Sequence, residues 1–285
     1  MKAKKCLLDS LKMAQFVAQG MLRFDELVPN DLNEEAHREM AKAEGRHIYT
    51  NGPAGTPLSE MFPTPSAIGA VIRLPEVQGI IESIVGPGSL YDHHAIHTVQ
   101  PRKVTAQAIH GDAIIDTRME HFDLQLVYFP HDVPTEMGGT LVLPGSHFRR
   151  INEADIGRYQ NFNGQVKMEG KAGTIFALHH GIWHSARRNL TDQTRYMFKL
   201  RLNPQVRQLR LWNTDDIDQP GESGEAARAE VDKILSKQEA WFEQADGRLE
   251  IVNRIKLWRF LIGDDTFDVH YWLTRLENMP EAIAS

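Results

Sequence analysis

Apolar positions recur at helical spacing in the first part of the chain and at strand spacing in its middle. Leu8, Leu11, Ala14 and Ala18 mark a helix that Gly20 ends. Met21 to Leu27 reads as a short strand, and Asp31-Leu-Asn-Glu34 as a capping box opening a polar helix to about Ala43. Gly45 to Pro65 is punctuated by Gly52, Pro53, Gly55, Pro57 and Pro63 and reads as a loop, long enough to suggest a functional one. The most regular stripe is Val77, Ile80, Ile81, Ile84 and Val85, with Pro75 near its start and Gly86 past its end, which predicts an amphipathic helix.

Strand patterns then take over. Val104 to Ile109, Phe122 to Phe129, Thr140 to Leu143, Thr174 to Leu178 and Tyr196 to Leu202 are short and β-prone. With turn residues between them, they predict an antiparallel sandwich or barrel. Asp132 to Gly139 reads as a turn, Phe148 to Lys171 as a polar insert, and Asp215 to Glu225 as an acidic linker. Val231, Ile234, Leu235, Leu249, Val252, Leu261, Trp272 and Leu276 suggest a helical C-terminal extension. The expected organisation is a catalytic domain over 1–204 and a linker with helices over 205–285. Trp241, Trp258 and Trp272 need burial, on the barrel's outer face or in a homodimer interface.

Composition narrows the classes. With 41% hydrophobic and 25% charged residues, the 285-residue chain is that of an ordinary globular protein. A net charge of -6 argues against general nucleic-acid binding. The single cysteine, Cys6, excludes an intramolecular disulfide framework and a cysteine-rich metal site, and fits a reducing cytosol. No apolar run is long enough for a membrane span, and Asp9, Ser10 and Lys12 interrupt the run a signal peptide needs. The expected location is cytoplasmic.

The candidate chemistry begins at Gln107-Ala-Ile-His-Gly-Asp112. On an extended strand His110 and Asp112, two apart, project to the same face. His184, in Gly-Ile-Trp-His-Ser 74 residues later, would complete a 2-His-1-carboxylate triad of the kind that holds non-haem Fe(II) and leaves three positions open. Taken singly, each histidine is as readily a hydrogen-bonded core residue, and His93-His94 reads as a loop pair. Asp116, Arg118, Glu120 and His121 read as solvated lid charges, and Arg149-Arg150 as an exposed pair or an attractor of an anionic substrate.

Four features in order carry a family resemblance: His110-Gly-Asp112, Gly138-Gly-Thr-Leu-Val-Leu-Pro-Gly-Ser-His147, Trp183-His184, and Arg195. Over roughly Gln15 to Asn203 the chain resembles the phytanoyl-CoA dioxygenase-like Fe(II)/2-oxoglutarate oxygenases. The resemblance implies a mainly β fold with flanking helices, a double-stranded β-helix or jelly-roll, cupin-like barrel. It implies Fe(II) on His110, Asp112 and His184, with 2-oxoglutarate and O2 as cosubstrates. Arg195, 11 residues after His184, stands where the family anchors the cosubstrate's 5-carboxylate, a task that suits a planar, always-charged fork. Arg187 and Arg188 are its rivals, and Gln107 and Tyr128 are further candidates for cosubstrate contacts. Ala186 departs from the small polar residue many relatives carry two positions after the distal histidine, a contact Ser185 could supply instead. The activity implied is oxidation, by default hydroxylation, of a C–H bond in a small molecule. The alternatives are a JmjC-like protein oxygenase, which usually anchors 2-oxoglutarate with lysine, and a cupin-like binding barrel without redox turnover.

Overall fold

Period-2 alternation along short strands sorts the side chains of this chain into an inner and an outer set. The structure is a computed structural model that describes residues 6–43, 48, 50–112, 121–149, 161–241 and 244–269, with the backbone alone for 244–249. The N-terminal part holds α1 (Ser10–Gln19), β1 (Met21–Phe24), α2 (Asn30–Lys42), α3 (Leu58–Met61), α4 (Ala67–Arg73) and α5 (Pro75–Val85). The strands β2 (Leu90–Val99), β3 (Leu124–Tyr128), β4 (Thr140–Val142), β5 (Val166–Met168), β6 (Ile175–His179), β7 (His184–Ala186) and β8 (Arg195–Asn203) follow.

A five-stranded antiparallel sheet runs β1-β6-β3-β8-β2, and a three-stranded one runs β5-β4-β7. The inner face of the large sheet carries Val127, Phe176, Leu178 and Met197, which meet Val142 and Met168 of the small sheet in one core. Its outer face carries Leu124, Leu126, Phe198, Leu200 and Leu202, packed with Phe16 and Val17 of α1 and Ile80 and Ile84 of α5. This is the jelly-roll barrel, with helices layered on its larger sheet. Among the described residues no helix is long and apolar enough to cross a membrane.

Several local expectations change. The longest strand, β2, lies where the sequence reading found only histidines; His93 and His94 are strand residues beside a bulge, not a loop pair. Val104 to Ile109 forms no named strand, but Gln107 and His110 still hydrogen-bond β7 along the edge of the small sheet. The capping box at Asp31 does not form. Helix α2 begins at Asn30 behind Pro29, two residues earlier than an Asp31 cap would place it, with no side-chain cap, and Asn33 turns its amide to the Val28 carbonyl at 3.0 Å. The linker at Asp215 contains a helical turn, Asp215–Asp218, before helix Glu222–Ser236. Trp272 and Leu276, most of the lid Ala113 to His121, part of the insert Phe148 to Lys171, and five positions between Glu44 and Tyr49 lie outside the described residues.

The C-terminal extension shares the outer core. Trp212, Val231, Leu235, Trp258 and Leu261 belong to the same apolar cluster as Phe16 and Val17. Asp216 accepts from the Ser10 amide at 2.9 Å and hydroxyl at 2.6 Å, and the Trp212 indole donates to that hydroxyl at 3.0 Å. Each fully buried large apolar side chain contributes about 1.5–3 kcal/mol. Truncation after Pro204 is therefore expected to expose α1 and yield aggregated protein in size-exclusion chromatography; a soluble, fully folded truncation would show the extension to be independent.

Candidate active site

Two separate backbone devices deliver the first histidine and the second. His110 and His184 form an antiparallel bridge, each amide donating to the other's carbonyl, at 2.9 Å from His110 and 2.8 Å from His184. The segment leading to His184 is held by the Pro144-Gly145-Ser146 turn. Gly145 takes φ 81, and the Ser146 hydroxyl donates to the Leu143 carbonyl at 2.7 Å while accepting from the Trp183 amide at 2.9 Å. Behind the pair, Ile109, Leu143 and Trp183 make a small buried cluster, with Trp241 and Phe162 packed on it.

The imidazoles are oriented as metal ligands. His110 Nδ1 lies 2.9 Å from the Ala108 carbonyl and His184 Nδ1 lies 3.1 Å from the Ile182 carbonyl. A carbonyl can only accept, so each Nδ1 carries the hydrogen and each Nε2 offers its lone pair. Both Nε2 atoms face Asp112: His110 Nε2 is 3.5 Å from Oδ1 and His184 Nε2 is 3.6 Å from Oδ2. One ligand atom from each of the three lies within 4.8 Å of the others. Burial pushes the Asp112 carboxyl up, but the Lys199 ammonium against Oδ2 outweighs it and holds the group ionised. Burial likewise lowers His184, against the pull of Asp112, and keeps its imidazole neutral.

The opposite wall is the inner face of the large sheet. In the β2–β8 register Val99 stands opposite Arg195, His97 opposite Met197 and Ala95 opposite Lys199, so these side chains share one face. Arg195 is 2% exposed and donates through Nη1 to the carbonyls of Met137 at 3.0 Å and Gly139 at 2.8 Å. Gly138 and Gly139 aim those carbonyls from φ 93 and 54. A Cβ on either would lie 1.9 Å from the Arg188 carbonyl oxygen or 2.2 Å from that of Met168. Arg195 Nε is buried without a partner, and among the described residues no carboxylate pairs with this guanidinium. Desolvation lowers its pKa only to about 10, so it remains a cation. An anion is the group that fits it. Of its rivals, Arg188 is exposed and Arg187 only half-buried.

The other expected site residues separate. Gln107 is at the triad, its amide nitrogen 3.3 Å from His110 Nε2 and its oxygen accepting from the Ala186 amide at 3.4 Å. Tyr128 is not: its hydroxyl donates to Asn33 Oδ1 at 2.7 Å on the outer face of the sheet, because it stands an odd number of residues from the inward Gln125. Ser185 alternates away from His184 as its strand neighbour, paired with Leu141. His147 lies 3.1 Å from the Val17 carbonyl and ties the turn to α1. Arg149 is engaged by Glu250 at 2.7 Å, while Arg150 lies outside the described residues.

Three site residues went unread in the sequence: Gln125, Lys199 and His97. Gln125 donates to Asp112 Oδ2 at 3.1 Å, and Lys199 Nζ contacts the same oxygen. His97 is exposed on the face it shares with Lys199 yet is partly desolvated. Desolvation, reinforced by Lys199, brings its pKa to about 4 and leaves a neutral donor and acceptor at the site. Parity offered the signal, since Lys199 lies four residues from Arg195 and Gln125 is the one polar residue in Leu-Gln-Leu-Val-Tyr.

Comparison with known proteins bears on this geometry. The sequence profile of phytanoyl-CoA dioxygenase (PhyH) matches residues 18–197. No curated protein matches the chain. Among solved structures, it is similar to the non-haem α-ketoglutarate-dependent carbocyclase SnoK from nogalamycin biosynthesis, with 21% identity, a TM-score of 0.50, and 68% of this chain and 83% of SnoK covered. HygX from Streptomyces hygroscopicus, with nickel and 2-oxoglutarate bound, is 14% identical with a TM-score of 0.53, over 74% of this chain and 93% of HygX. The epimerase SnoN, in complex with Fe3+, α-ketoglutarate and nogalamycin RO, is 16% identical with a TM-score of 0.51, over 68% and 84%. At these identities the likeness shows the shared double-stranded β-helix.

Arg195→Ala is expected to weaken 2-oxoglutarate binding to the metal-loaded protein. Loss of a charged hydrogen-bond partner costs about 3 kcal/mol, or roughly a hundredfold. Isothermal titration with Ni(II) present should show this while metal content stays near that of the unmutated protein. Weakening by Arg187→Ala or Arg188→Ala instead would move the anchor to the loop.

Proposed function

Because the chain belongs to the phytanoyl-CoA dioxygenase family, a family of iron- and 2-oxoglutarate-dependent oxygenases, we propose that it oxidises a C–H bond of a small molecule, by default hydroxylating it. The observation that carries this reading is the pairing of His110, Asp112 and His184 with the partnerless buried Nε of Arg195 across the same barrel. Three neutral or anionic donors within 4.8 Å suit a divalent cation, and a desolvated guanidinium suits a carboxylate. Fe(II), 2-oxoglutarate and O2 bound together supply the oxidising power, with succinate and CO2 as co-products.

The chain's own residues do the rest. His110 and His184 present Nε2 because the Ala108 and Ile182 carbonyls hold the hydrogen on Nδ1. Asp112 supplies the anionic ligand and stays ionised throughout the physiological range. Arg195 orients the cosubstrate by its distal carboxylate and cancels that charge inside the barrel. His97, kept neutral by desolvation and the nearby Lys199 ammonium, offers a hydrogen bond without adding charge. Val127, Phe176 and Met197 form part of the apolar core on the same inner face. With Asp112 in the third ligand position, a halide finds no place among the protein ligands, so the product expected carries oxygen or a new double bond rather than chlorine.

SnoN holds nogalamycin RO and another HygX structure holds hygromycin B, so elaborated small molecules of this kind are where a substrate screen begins. The purified protein with Fe(II), 2-oxoglutarate and air should form succinate, faster with a true substrate, and mass spectrometry should find one added oxygen atom in the product. Metal binding without succinate would favour a binding barrel, and a chlorinated product in excess chloride would remove Asp112 from the ligand set.

A further inference from the structure

Strand β8 places three cations on the inner face of the barrel, at Arg195, Lys199 and Arg201. Arg195 is answered by two carbonyls. Arg201 donates through Nε to Asp123 Oδ2 at 2.9 Å, contacts the same oxygen through Nη2, and has Asp92 at 3.9 Å. Lys199 differs from both. Its side chain is 12% exposed and its ammonium is paired with Asp112, a residue of the triad itself.

The contacts on Asp112 are divided between its oxygens. Oδ2 takes hydrogen bonds from the Lys199 ammonium and the Gln125 amide and has His184 Nε2 at 3.6 Å, while Oδ1 has only His110 Nε2, at 3.5 Å. A carboxylate oxygen has two lone-pair directions, so Oδ2 is committed and Oδ1 is the atom available to a metal. Gln125 supplies orientation without charge. Lys199 supplies orientation and a full positive charge, which draws electron density from the group that would donate to the metal. Partners behind a metal ligand set its orientation and basicity in this way.

We propose that Lys199 is a positioning and charge-tuning partner of the ligand carboxylate, holding Asp112 to one-oxygen ligation and weakening its donation to the metal. The inference rests on the metal-site reading above and adds a residue to it. Lys199→Met removes the charge and keeps the length, while Gln125 still holds Oδ2. A unit charge at hydrogen-bonding range outweighs one neutral hydrogen bond, so loss of the charge decides the sign. Gln125→Leu, which removes orientation alone, has the opposite sign.

The test is titration of the metal-free protein with Co(II), together with the visible band of the anaerobic Fe(II)–2-oxoglutarate complex. Lys199→Met should bind Co(II) at least tenfold more tightly and move the band to longer wavelength, because the iron becomes richer in electrons. Lys199→Arg should restore both towards the unmutated values, and Gln125→Leu should bind Co(II) less tightly. Should Lys199→Met prove unfolded by circular dichroism, Lys199→Gln is titrated in its place with the same expectation. Unchanged or weaker Co(II) binding, or an unmoved band, in the folded neutral variant would overturn the proposal. If instead the unmutated protein binds no Co(II), or His110→Ala binds it equally well, the metal-site reading fails first.

Discussion

A charge inside a β-barrel must be met by an opposite charge or by a full set of hydrogen bonds, because water is no longer there to do so. Strand β8 makes this demand three times, since its alternation turns Arg195, Lys199 and Arg201 inward. Arg201 is met by Asp123 and Lys199 by Asp112. Arg195 is met by two carbonyls and keeps a buried donor to spare. A few residues away, two imidazoles and a carboxylate converge with their lone pairs inward. A cation in search of an anion and a cluster of donors in search of a cation share the inner side of one barrel. A divalent metal with a dicarboxylate would satisfy both.

How much of this could be read from the sequence follows from the range of each interaction. His110 and Asp112 were paired in the sequence because two residues apart on an extended strand share a face; their side chains do approach to 3.5 Å, though Asp112 lies in a bend after the His110 bridge rather than on a strand. His184 and Arg195 were legible through their order along the chain and the Gly-Gly and Pro-Gly-Ser-His turns between, which do supply the carbonyls for Arg195 and the anchor for Trp183. Tyr128 was misplaced by parity: its strand was recognised, but not which face of it turned inward, and a shift of one residue exchanges the faces. Strand β2 escaped because its inward positions carry histidine and alanine rather than a stripe of apolar residues. The segment at Val104 had strand-forming residues but no neighbour to make a full ladder, which no local pattern reveals.

The C-terminal extension bears on the site as well as on stability. Trp241 donates to the Pro144 carbonyl at 2.8 Å, and its ring lies 6.1 Å from that of Trp183, the residue before His184. Arg149 lies 4.5 Å from the centre of the Trp241 ring and pairs with Glu250. The helices at the end of the chain thus brace both the outer helical layer and the turn that positions His184. An extension that looks like an appendage in sequence is tied into the small sheet's support.

The central claim is that one cavity holds both the metal triad and the cosubstrate's anchor. A crystal structure grown or soaked without oxygen, with Fe(II) and 2-oxoglutarate, tests it most directly. Iron is expected on His110 Nε2, His184 Nε2 and an oxygen of Asp112, with the distal carboxylate of 2-oxoglutarate on Arg195. Iron bound elsewhere, or 2-oxoglutarate seated with Arg195 still partnered only by the Met137 and Gly139 carbonyls, would contradict it.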